Sequence, residues 1–138
     1  MLTDPCQLAT DLVAAWNAHD STRIAAHYAP TLERADVGAT RPTRGVGEAR
    51  RAVERYLRAF PDLQVTVQRM IAEGDQIALF WTAQGTHTSA FLHIPPTGRF
   101  VAVQGSSLLT IRDDQVTSGL YIWDVAGLLR ALGLLPDL

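Results

Sequence analysis

The chain has 138 residues, 47% hydrophobic and 19% charged, which is one domain's worth of sequence and neither a disordered nor a membrane composition. No apolar run approaches the roughly 18 residues needed to cross a bilayer, and the net charge of −2 is spread without an acidic or basic tail. All 12 basic residues are arginine, so Schiff-base catalysis and a pyridoxal cofactor, which need a lysine amine, are excluded.

The opening stretch "MLTDPCQL" lacks a basic region followed by an apolar one, as a secretory leader would have, and predicts a cytoplasmic protein. Cys6 is the only cysteine, so an intrachain disulfide is excluded. Over residues 5–19, Leu8, Leu12, Ala15 and Trp16 recur at helical spacing. Asp20, followed by "STR", is placed to cap a second, short helix that ends at Pro30. "TLERADV" alternates like a short strand and puts Arg34 and Asp36 on one face. After the loop "RPTRGVG", residues 46–60 form a third helix with Val53, Tyr56, Leu57 and Phe60 turned inward. Six arginines between Arg41 and Arg58 cluster there, but Glu48 and Glu54 interrupt them and no aromatic platform alternates with them. That pattern predicts a solvated helix face and no nucleic-acid partner.

Beyond Pro61 the pattern changes to strands. "LQVTVQRMIAEGDQIALFWTAQGTHT" reads as two strands turning at Gly74-Asp75, and two prolines keep "SAFLHIPPTG" a loop. "RFVAVQGSSLLTI" and "QVTSGLYIWD" form a second hairpin turning near Asp113-Asp114, and a last helix over 125–132 ends at Gly133. The order describes a single α+β domain over residues 1–138, a curved antiparallel sheet wrapped around helices. Phosphate loops, a nucleophile elbow and a dinucleotide fingerprint are missing from the sequence, and its four histidines lack ligand spacing, so no metal is expected.

"WNAHD" (16–20), "YAP" (28–30), "AFPDL" (59–63), "AEGDQIA" (72–78), "GTHT" (85–88), "IPPTGR" (94–99) and "WDVAGLLRALG" (123–133) stand in this order along nearly the whole chain. Carrying them, the sequence resembles the SnoaL-like polyketide cyclases of the nuclear-transport-factor-2-like superfamily. The resemblance implies a cone with a deep apolar pocket, usually in a homodimer, and a cofactor-free acid–base reaction on a polyketide-like ligand. It also implies a pocket Asp as acid and base and an assisting His. Those two positions fall here on Tyr121 and Ser107.

The residues themselves offer replacements. Alternation puts Gly119, Tyr121 and Trp123 on one strand face, from which the Tyr121 phenol would donate to a carbonyl or developing enolate; the plainer reading is a core aromatic. Asp36 is a candidate base, with Arg34 beside it to hold an acidic group; the alternative is an exposed pair on an edge strand. His87 of "GTHT" is either a general base or a residue that fixes the strand end and the Pro95-Pro96 loop. His93, in that loop, and Trp16, on the first helix, are expected to touch ligand, and the Ser107 face is expected to line the pocket. Asp124 reads as a helix cap. Two functions remain open: a cyclase- or isomerase-type enzyme of secondary metabolism, or a non-catalytic protein that binds a small hydrophobic ligand or assists a partner enzyme. An epoxide hydrolase, which would need a second Asp at position 121, ranks behind both.

Overall fold

Each helix starts where a side chain takes up free backbone amides. The computed structural model describes residues 4–137, so the first three residues of the stretch read for a leader lie outside it. Pro5 opens helix α1 (Pro5–Asn17), and the Asp20 carboxylate accepts from the Arg23 amide to start α2 (Ser21–Ala26). In α3 (Gly45–Ala59), Glu48 reaches back to the Arg44 amide. Asp124 accepts from the Gly127 amide at the head of α4 (Val125–Ala131), as expected of a cap.

The strands β1 (Tyr28–Asp36), β2 (Thr43–Arg44), β3 (Gln64–Glu73), β4 (Gln76–Thr86), β5 (Phe100–Arg112) and β6 (Gln115–Trp123) form one sheet in the order β2-β1-β6-β5-β4-β3. Both expected hairpin turns are present. Gly74 has φ 59°, while Asp113 and Asp114 have φ 52° and 60°, the positive pair that a two-residue hairpin turn demands. Two features differ from expectation. The sheet is not wholly antiparallel, because β1 runs parallel to β6. The short strand β2 pairs Arg44 with Glu33 inside the stretch read as a loop. Pro30 lies within β1, and the β1–β6 register slips between Tyr28 and Glu33, where a residue without an amide hydrogen cannot hold a regular ladder.

The core lies between the inner face of the sheet and α1, α2 and α3. Leu8, Leu12 and Ala15 of α1, Ile24 of α2 and Val53 of α3 pack against Ile77, Leu109 and Val116. A second cluster joins Phe60 and Phe91 to Leu128 and Leu132 of α4. Arg51, Arg55 and Arg58 stay on the solvent side of α3, and Arg50 pairs with Glu54 one turn on. Among the described residues no helix is long and apolar enough to cross a membrane.

Candidate active site

Between the two clusters the sheet holds open a cavity of about 150 Å³. Its floor follows from strand alternation. Leu79, Trp81 and Ala83 of β4, Val101, Val103, Ser107 and Leu109 of β5, and Tyr121 and Trp123 of β6 all turn inward. Gly105, on the same face, is paired with Trp81 on one side and Trp123 on the other. A Cβ at Gly105 would lie 2.5 Å from two Trp81 ring carbons and 2.8 Å from Trp123 Cβ, so the missing side chain makes room for the two indoles. The roof comes from Leu12, Val13 and Trp16 of α1, Tyr56 and Phe60 of α3, and Leu128 of α4. Val13, Trp16, Leu63, Val65 and Gln84 keep contact with solvent and mark the mouth.

One wall is polar. Parallel pairing sets Arg34 opposite Gly119 and Asp36 opposite Tyr121, which carries both β1 side chains into the cavity. They are not an exposed edge pair: the Arg34 side chain is 5% exposed and that of Asp36 7%. Asp36 Oδ1 accepts from the Gly38 amide at 2.7 Å and from Trp123 Nε1 at 2.8 Å; Oδ2 accepts from the Tyr56 hydroxyl at 2.6 Å. Burial first, and then the Asp36 charge and hydrogen bond, raise the Tyr56 pKa above its ordinary value, so Tyr56 stays a neutral donor.

Arg34 is held differently. Its guanidinium carbon sits 4.1 Å from the centre of the Tyr121 ring, a cation–π contact, and its ion-pair contact with Asp36 Oδ2 is 4.0 Å long. Its buried Nε has no hydrogen-bond partner. Burial opposes the charge but is outweighed, with the Asp36 carboxylate among the groups that favour the cation, and the Arg34 pKa lies above the ordinary arginine value. Arg34 is therefore a lasting buried cation.

The expected site residues divide accordingly. Tyr121, Asp36, Arg34, Trp123, Trp16 and Ser107 all line the cavity, though the Ser107 oxygen already accepts from Trp81 Nε1 at 2.9 Å. His87 and His93 do not border it. His87 is fully buried beside the Phe60 ring, with Nδ1 accepting the Thr97 amide at 3.2 Å and lying 3.0 Å from its hydroxyl. That geometry ties His87 to the 88–98 loop, as the holding role expects, and sets it outside the cavity lining where a general base would stand. His93 is exposed in that loop at φ 62° and is not among the residues that line the cavity. Helical spacing reads Tyr56 only as an inward-turned residue, with no role at the site. The available signal was a tyrosine in a stripe where phenylalanine would pack as well, since a buried hydroxyl needs a partner. Among the described residues no three His, Cys, Asp or Glu side chains gather where they would hold a metal ion.

Comparison with known proteins agrees with this architecture. The sequence profile described as SnoaL-like polyketide cyclase matches residues 7–132. The fold is similar to that of AclR, a hydroxylase candidate from Streptomyces galilaeus, with 32% identity and a TM-score of 0.85 over 96% of this chain and 87% of that one. TsrD from Streptomyces laurentii is 26% identical with a TM-score of 0.84, covering 96% of this chain and 99% of its own. IdmH from Streptomyces antibioticus, a candidate polyketide cyclase, is 25% identical with a TM-score of 0.80 over 95% of this chain and 99% of its own. Among curated proteins none matches the chain.

Proposed function

The chain belongs to the SnoaL-like polyketide cyclase family, and from that premise we propose that it is a cofactor-free enzyme of secondary metabolism. It would act by acid–base chemistry on a hydrophobic, polyketide-like substrate. The observation that carries this reading is the pairing of Asp36 with Tyr121 across β1 and β6. The family's carboxylate position holds a phenol here, and the adjacent strand supplies a buried carboxylate to the same wall.

In this mechanism a carbon next to a substrate carbonyl loses its proton to Asp36 Oδ2, whose second lone pair is free of the Tyr56 bond. The electron pair moves onto the carbonyl oxygen. The Tyr121 hydroxyl donates to that oxygen, and the Arg34 cation offsets its charge. The enolate then either takes the proton back at another carbon, an isomerisation, or attacks a second carbonyl and closes a ring, with the proton passing from Asp36 to the new alkoxide. Tyr56 and Trp123 are positioning residues that hold the carboxylate.

The test is exchange of the α-hydrogens of β-tetralone, a flat bicyclic ketone, with solvent deuterium, followed by NMR. Wild type accelerates the exchange over buffer. Asp36→Asn loses about a hundredfold of that or more, and Tyr121→Phe loses on the order of a hundredfold. Wild-type exchange at the buffer rate would contradict the reading. A second reading, a non-catalytic protein that binds a small hydrophobic ligand, is favoured by the three donors that already occupy Asp36. It predicts binding of the ketone without exchange.

We also propose a homodimer. The outer sheet face exposes Phe80 and Ile122, paired to either side of Ser106, and Leu108 beside Leu120. A second copy would cover this apolar face.

A further inference from the structure

Arg34 is a cation almost wholly withdrawn from water, yet its side chain makes no hydrogen bond to a described residue. Its ion-pair contact with Asp36 is 4.0 Å long, its Nε is buried without an acceptor, and the Tyr121 ring face lies 4.1 Å from its guanidinium carbon. Asp36 does not supply what is missing, because its Oδ2 lies 4.0 Å from Arg34 Nη1, beyond hydrogen-bond reach. A buried guanidinium whose donors are unmet costs free energy that a substrate with matching acceptors would relieve. The group borders the cavity, so an occupant can reach it. The rest of that cavity is walled by hydrocarbon and aromatic rings.

We infer that the natural occupant of the cavity is a flat, apolar molecule bearing one planar oxyanion, two coplanar oxygens that share a negative charge, which docks on Arg34. The guanidinium fork matches such a pair in spacing and plane, and Tyr121 stacked on its other side keeps the fork from turning away. A free carboxylate and the enolate of a β-diketone both have this chemistry. A simple ester does not. The inference deepens the proposed function, since it rests on the same cavity, but it concerns binding and not turnover.

Three probes separate the possibilities: β-naphthoate, an acetyltetralone whose β-diketone ionises to an enolate, and methyl β-naphthoate as the uncharged control. Binding is read by quenching of tryptophan fluorescence, because all 3 tryptophans border the cavity. At least one anion binds wild type about tenfold to a hundredfold more tightly than the ester. In Arg34→Met, a variant that keeps an unbranched apolar stem but no charge, that preference disappears while ester binding persists. Whichever anion shows the effect identifies the source of the oxyanion. If Arg34→Met does not fold, Arg34→Lys takes its place: a point charge without the fork lowers the preference several-fold.

Equal binding of ester and anions to wild type would overturn the inference while leaving the cavity intact as a ligand site. A preference for anions unchanged in the Arg34 variants would also overturn it. Binding of none of the three would overturn it together with the reading of the cavity as a site for flat apolar ligands. Loss of deuterium exchange with the anion preference retained would instead count against the proposed reaction alone.

Discussion

Gly105→Ala tests how the cavity is built. The added methyl would sit 2.5 Å from Cζ2 and Cη2 of Trp81 and 2.8 Å from Trp123 Cβ. Trp123 Cβ is anchored to the backbone of the paired strand and has no room to retreat, so the Trp81 ring has to swing away. That swing breaks the bond from Trp81 Nε1 to Ser107 Oγ, worth about 1 kcal/mol. Overpacking adds about 1–3 kcal/mol, while a less flexible unfolded chain returns about 0.4–1 kcal/mol. The net is a destabilisation of about 2 kcal/mol. Urea unfolding followed by tryptophan emission measures it. Combining Gly105→Ala with Trp81→Leu, which removes the clashing ring, should recover part of the loss beyond the sum of the single changes. A Gly105→Ala protein within about 0.5 kcal/mol of wild type, with its tryptophan emission unchanged, would refute the argument that glycine is there to admit the two indoles.

Two other consequences follow from different parts of the molecule. The Asp62 carboxylate accepts the amide and hydroxyl of Thr86, each at 2.7 Å, and these bonds hold its pKa below the ordinary 3.8. A depressed pKa means stability that is present above the unfolded value and lost as pH falls through the folded one. The melting temperature of wild type should exceed that of Asp62→Asn at about pH 6, and the gap should close below about pH 3; a gap constant across that range would refute it. The group is exposed, so solvent screening keeps the gap small. For the outer sheet face, sedimentation should show a dimer for wild type and a folded monomer for Ile122→Glu. A wild-type monomer, or a variant that still dimerises, would contradict the homodimer.

The parts of this fold that were legible in the sequence are those decided within a few residues. Asp20 and Asp124 show as caps because a carboxylate before a helix has free amides to bind. The turns at Gly74 and Asp113-Asp114 show because few residues accept positive φ. Alternation puts Tyr121 and Trp123 on one face, the resemblance points that face and Ser107 at a pocket, and all three line the cavity. The parallel β1–β6 pairing was not legible, since it joins segments more than 80 residues apart and no local pattern encodes it. That pairing decides whether Arg34 and Asp36 form an exposed edge pair or a buried wall, and the local sequence favours the edge pair because it does not show the partner strand. Tyr56 failed in a similar way: helical spacing gave its face but not the carboxylate opposite its hydroxyl. His87 shows the converse, where a motif located the residue and only packing showed its ring locked onto Thr97.

In the proposed mechanism, proton transfer belongs to the polar wall of the cavity and not to the histidine of "GTHT". Deuterium exchange into β-tetralone, compared between Asp36→Asn and His87→Gln at a temperature where circular dichroism shows both folded, tests it most directly. Asp36→Asn should fall by about a hundredfold or more, while His87→Gln should exchange at the wild-type rate. Exchange that survives in Asp36→Asn and is lost in His87→Gln would contradict it.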